Sequence, residues 1–198
     1  MKLNFDVKTS REIVFRGHTV ISRAEEPYLQ ALISLLAKKK IESVLEVGYG
    51  LGISARLIQE ILHPRAHHIV EVEQTILNDC HEFCCQYSGT RAIAGDYDTA
   101  IYPQQYDLLF FDPYDYELAL NRVTERQSYT QEFNREVVLA QKVLRPRGYL
   151  CHAFFGDCPP PKLDRFSLHD FGLFTGSHII TGPAQECSQA RLSYYIKD

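Results

Sequence analysis

The stretch SVLEVGYGLGIS, residues 43–54, constrains this chain more than any other: an apolar run carrying the acid Glu46, three alternate glycines, and a return to apolar residues. A short apolar run closed by glycine reads as a buried strand, and the ISARLIQEIL that follows has helical spacing. Gly48, Gly50 and Gly52 therefore stand in a strand-to-helix turn. There the main chain can approach a ligand that any side chain would exclude, with helix N–H groups nearby.

The alternation continues on both sides. EEPYLQALISLLAKK, residues 25–39, predicts a helix with Pro27 in its first turn. HHIVEVE, RAIAGD, YDLLFFDPY and GYLCHAFF predict strands, and QTILNDCHEFCCQYS and YTQEFNREVVLAQKVL predict helices among them. DCPPPKLD is a loop, and SHIITG and ARLSYYIKD are two final strands. Such alternation predicts an α/β fold, a mostly parallel sheet covered on both faces, with ligands bound beyond the carboxyl ends of its strands. Neither an internal repeat nor a linker interrupts it, so residues 1–198 are expected to form one domain.

Composition narrows the partners. A net charge of -4 offers no basic field for nucleic acid. No apolar run is long enough to span a membrane, and MKLNFDVKTSREIVF lacks a signal-peptide core, so a cytoplasmic protein is expected. The 6 cysteines read as reduced thiols, because a chain of 198 residues can build its own core. Cys80, His81, Cys84 and Cys85 fall on one predicted helix with no C-x-x-C pair, and no metal site is expected there.

The acids decide which ligand suits the turn. The spacing is G-x-G-x-G behind Glu46, not the G-x-G-x-x-G that cradles a pyrophosphate. A carboxylate beside a pyrophosphate is unfavourable, whereas a ligand carrying an ammonium and a sulfonium is helped by Glu46. Glu71 ends the second predicted strand, suited to accept from both ribose hydroxyls, and Asp98, with Tyr97 beside it, is suited to receive an adenine amino group. Three acids at successive strand ends point to S-adenosylmethionine.

From about Gly17 to Gly156 the chain resembles the guanidinoacetate methyltransferase family of class I methyltransferases. The resemblance is carried by VLEVGYGLGISA, GHTVISRAEEPYLQAL, VEVE, GDYD, YDLLFFDPYD and the EFN and VLRPRG ends of one helix. The part around Glu25, Pro27 and Tyr28 is the most specific, since class I enzymes in general have no such element before their first strand. The resemblance implies a Rossmann-like three-layer sandwich whose sheet is mostly parallel and seven-stranded, with an antiparallel C-terminal strand. Before it comes a substrate-side segment of about residues 1–40. It implies S-adenosylmethionine as cofactor, S-adenosylhomocysteine as product and a small guanidino substrate, and leaves a homodimer as the assembly to test. Its cofactor site falls on Leu29, Glu46, Gly48, Tyr49, Gly50, Leu51, Gly52, Ile53 and Ser54, then on Glu71, Val72, Glu73, Tyr97, Asp98 and Asp112. Its substrate site falls on Ile21, Glu25, Asp112, Tyr114, Phe155 and Gly156, with Glu25 and Asp112 as the catalytic acids.

Chemistry supports that pair independently. A guanidinium is planar, protonated and a poor nucleophile, because its lone pairs are delocalised. Two carboxylates accepting from different edges would align one nitrogen, draw positive charge away from it and take its proton. The bland alternatives are a turn cap for Asp112 and a helix-end charge for Glu25. Against the family, the N-terminal segment is short, so water exclusion is expected to come from elsewhere; residues 116–130 and the tail after Gly156 alter the site mouth. Two other readings compete: a base methyltransferase, from the likeness of DPYD to D-P-P-Y, and a non-catalytic cofactor-binding module.

Overall fold

The computed structural model describes residues 2–114, 125–181 and 185–198. It opens on a small antiparallel sheet in the order β1 (Val7–Lys8), β2 (Glu12–Phe15), β3 (His18–Ser22). Arg16 and Gly17, both with positive φ, close the two-residue turn between β2 and β3. This sheet is absent from the sequence reading, although alternating residues around a two-residue turn are its ordinary signal.

A 3-10 turn, Arg23–Glu25, leads into α1 (Glu26–Ser34). The helix stops short of the expected Lys39: it gives way to turns from Leu35, while Leu36 stays buried in the core and Lys38 to Lys40 are exposed. β4 (Ser43–Val47) is buried at every position, and α2 (Ile53–Leu62) follows the glycine turn with the expected limits. The chain continues through β5 (Ala66–Glu71), α3 (Gln74–Cys84), β6 (Thr90–Ala94) and β7 (Tyr106–Phe111). After α4 (Glu125–Val143) come β8 (Leu144–His152), the short β9 (Phe154–Phe155), β10 (Phe166–Thr181) and β11 (Gln185–Lys197). The last two make a longer hairpin than the two short strands expected.

The sheet order is β10-β11-β8-β7-β4-β5-β6, with β9 added beside β11. β4 runs parallel to both β5 and β7, β7 is parallel to β8, and β11 is antiparallel to its neighbours. The expected mostly parallel sheet with an antiparallel C-terminal strand is therefore found. Leu29, Leu32, Ile53, Ile58 and Ile76 cover one face, and Leu139, Ala140 and Val143 of α4 cover the other. The strand order reverses at β4, which puts a crevice at its carboxyl end, beside β5 and β7.

Glu73 caps α3: its Oε2 accepts from the N–H groups of Thr75 at 2.6 Å and Ile76 at 2.8 Å, and its Oε1 accepts from Leu3 N–H at 2.9 Å. Glu73→Ala is expected to cost about 1–2 kcal/mol in chemical denaturation, the usual range for a lost cap.

Candidate active site

The glycine turn lies tight against its surroundings. Gly48 has φ +88, and a Cβ there would stand 2.8 Å from the Asp112 carbonyl oxygen and 3.1 Å from Pro113 Cα. Only glycine lets β4 and β7 end this close together. Gly48 N–H also donates to Val70 O at 2.9 Å, fixing the turn to β5. A Cβ on Gly50 would lie 3.0 Å from Ile21 Cδ1, so β3 reaches over the turn. Tyr49 folds its hydroxyl back over Gly52 and packs on Phe83, ring centroids 5.7 Å apart. Ile53, Ser54 and Leu29 are buried, and Leu51 packs against the same core from a half-buried position.

The acids expected at strand ends take distinct roles. Glu46 is 0% exposed; it accepts from the Ser54 hydroxyl, and its Oε2 is 2.9 Å from His67 Nε2. Gln59 Nε2 lies 3.0 Å from His67 Nδ1 and donates to Thr90 Oγ1 at 3.0 Å, so His67 donates to Glu46 from Nε2. The sequence reading has Glu46 meet a ligand's cationic end; instead it turns inward, because β4 is covered on both faces.

Glu71 is nearly buried and accepts three main-chain N–H groups: Tyr49 at 3.0 Å, Val72 at 2.8 Å and Glu73 at 2.8 Å. Burial raises its pKa and those bonds oppose the rise. A carboxylate has about four acceptor sites, which leaves roughly one, on Oε2, for a ribose hydroxyl rather than the expected pair. Asp98 accepts from Arg135 Nε, Asp96 accepts from Arg135 Nη2 at 2.9 Å, and the guanidinium lies 4.5 Å from the Tyr97 ring centroid. Arg135 of α4 thus occupies the acid expected to read adenine.

The two substrate-side acids, Glu25 and Asp112, are coupled electrostatically. Glu25 is 5% exposed and closes a capping box with Ser22, its Oε1 accepting Ser22 N–H at 3.1 Å. Its pKa is raised well above the usual carboxylate range, by burial first and by the Asp112 charge second. Asp112 is pushed up to about 7 by burial, with His152 pulling it down and Glu46 raising it further. Tyr28, buried between them and Phe155, donates to Arg191 O at 3.0 Å. Among the described residues, neither acid is ion-paired to a lysine or arginine.

Gly156 N–H, expected to face a substrate, donates to Gln189 O at 2.9 Å, because β9 pairs with β11. Tyr114 and Val72 pack around Phe15 of β2. The small N-terminal sheet therefore lies over the carboxyl ends of β5 and β7. Residues 116–124 of the expected insertion fall outside the described residues. The sequence reading missed His67, Gln59, His152 and Glu136; the one available signal was a polar side chain inside a buried run or helix face. Among the described residues no group of three or more His, Cys, Asp or Glu side chains could hold a metal, and no helix is long and apolar enough to cross a membrane.

This strand order, with a glycine turn closing its central strand, defines a class I S-adenosylmethionine-dependent methyltransferase. The chain belongs to the guanidinoacetate N-methyltransferase family, whose profile matches residues 2–157. Among curated proteins it is 22% identical over 143 residues to the malonyl-[acyl-carrier protein] O-methyltransferase of Calditerrivibrio nitroreducens, covering 72% of this chain. It spans only 50% of that relative. Among solved structures it is similar to the N-methyltransferase NodS of Bradyrhizobium japonicum in complex with S-adenosylhomocysteine, with a TM-score of 0.56 and 14% identity over 87% of this chain and 86% of that one. The methyltransferase-like protein yhhF of Escherichia coli gives 0.58 and 13% over 90% and 87%.

Proposed function

We propose that the chain N-methylates a small guanidino compound, guanidinoacetate or a relative such as arginine. The observation that supports this best is the electrostatic coupling of Glu25 to Asp112. The Asp112 charge raises the proton affinity of buried Glu25, and desolvation raises that of half-buried Asp112, where no described lysine or arginine neutralises them; such a pair suits a ligand that brings its own delocalised cation.

The residues present fit the cofactor. Gly48 to Gly52 keep the main chain bare, Glu71 retains an acceptor position, and the acidic surroundings favour a cationic nucleoside over a pyrophosphate. Gly48, Gly50, Glu71 and Val72 would hold it. When bound, S-adenosylmethionine supplies an electrophilic methyl carried on a sulfonium.

Glu25 and Asp112 accept N–H bonds from different edges of the guanidinium and fix one nitrogen in line for attack. As that nitrogen gains its substituent, one N–H bond breaks and its proton passes to a carboxylate oxygen of one of the two acids. Tyr28 and Phe155 wall the site, and Phe15 and Ile21 keep water out.

Release of S-adenosylhomocysteine should be measured with guanidinoacetate, arginine, creatine-sized neutral amines and duplex DNA in separate arms. Product formed only with guanidino compounds is expected. Product with DNA alone, or with none of them despite tight cofactor binding, would overturn the reading. Glu71→Ala is expected to weaken S-adenosylhomocysteine binding by about 1–3 kcal/mol by calorimetry, through the lost ribose bond and the loosened turn. An unchanged Kd would remove Glu71 from the site.

A further inference from the structure

The proposed reaction makes no use of Glu136, a buried acid on α4. Its side chain is 0% exposed, its Oε2 lies 2.7 Å from His152 Nδ1, and its Oε1 has no hydrogen-bond partner among the described residues. A carboxylate removed from water is costly unless a partner compensates its charge, and His152 is the partner this one has.

His152 closes β8 in register with Phe111, the residue immediately before Asp112. Its ring stacks on Phe111, centroids 6.0 Å apart at 16°, and packs on Phe154 at 4.3 Å and edge-on to Phe133 at 6.1 Å. Aromatic neighbours and Glu136 thus fix the imidazole beside the end of β7. Asp112 is coupled electrostatically to Glu25 of the 3-10 turn, Tyr28 of α1, Glu46 of β4, and Cys151 and His152 of β8. Of these, His152 is the group able to carry positive charge.

We propose that Glu136 and His152 are a charge-setting pair for the active site: the buried carboxylate holds the imidazole as an imidazolium, and that cation favours the ionised form of Asp112 that receives a positively charged substrate. Both are positioning residues, acting through Asp112, and their purpose rests on the reading of Asp112 as a substrate acid. Without them, burial and the neighbouring acids would leave Asp112 protonated over more of the working pH range and less able to bind a cation.

The test is nuclear magnetic resonance on the full chain without ligands, following the His152 ring nitrogens and the Asp112 carboxyl carbon, assigned with His152→Asn and Asp112→Asn. The wild-type ring is expected to be doubly protonated at pH 7, and Glu136→Gln to lose that state. The Asp112 midpoint should move upward by about 0.5–1 pH unit in Glu136→Gln and in His152→Asn, with no further shift in the double variant. A neutral His152 ring at pH 7 in the wild type would overturn the proposal, and that spectrum is readable even if the variants fail to fold. So would an unmoved Asp112 midpoint in folded variants, or an equal shift in Phe133→Leu, which loosens the packing and keeps the charges. These spectra involve no substrate, so the pair can fail while guanidino turnover stands, and the reverse.

Discussion

Asp112→Asn and Glu25→Gln should each lower turnover of a guanidino substrate by about 10²–10⁴-fold, the range for a positioned acid or base, while leaving the fold in place. Each swap keeps shape and removes charge. The double variant should be little worse than the worse single one, because groups that clasp one cation do not act additively. Asp112 also gives the experiment a pH signature. Its native pKa of about 7 lies above its unfolded value, so the stability it contributes is present at low pH and is lost as pH rises through about 7. Unliganded Asp112→Asn should therefore melt higher than wild type at pH 8 and about equally at pH 4. Substrate affinity of the wild type should run the other way, strengthening as pH rises through about 7 and the carboxylate forms. Near-normal turnover by Glu25→Gln would reduce that acid to the cap it makes with Ser22.

Gly48→Ala is the second change with a large expected effect. The added methyl meets main chain, the Asp112 carbonyl at 2.8 Å, and the residue must hold φ +88. Left-handed strain of about 1–2 kcal/mol and overpacking of about 1–3 kcal/mol should together be visible in denaturant midpoints. S-adenosylhomocysteine affinity should fall at least about tenfold, since the end of β7 must shift. Gly50→Ala meets only the flexible Ile21 side chain and should cost less stability. Equal losses in the two variants would show that conformational strain, not the contact between β4 and β7, dominates.

The sheet and α2 were legible because both rest on periodicity: a strand buried on both faces and an amphipathic helix begun by glycine leave plain patterns. The pairing of Glu25 with Asp112 was put forward only through family resemblance, since sequence spacing carries no information on an electrostatic coupling between the 3-10 turn and the end of β7. Side-chain directions were not legible at all. Whether Glu46 faces a ligand or His67 depends on which side of β4 it occupies, and whether Asp98 is open depends on Arg135, thirty-seven positions away. The N-terminal sheet has strands of 2, 4 and 5 residues, too short for a periodic signal without attention to the Arg16–Gly17 turn.

That sheet ties the two ligands thermodynamically. Ile21 rests on the glycine turn, Phe15 on Val72 and Tyr114, and Lys8 pairs with Asp79 of α3 at 2.6 Å. One small flap, held by these few contacts, thus borders both the proposed nucleoside side and the proposed substrate side. Whichever ligand arrives first meets the entropic cost of settling the flap, and the second finds it already settled. Each should then raise the other's affinity by the same factor, so a dead-end complex of S-adenosylhomocysteine and guanidino substrate should be tighter than either binary affinity implies.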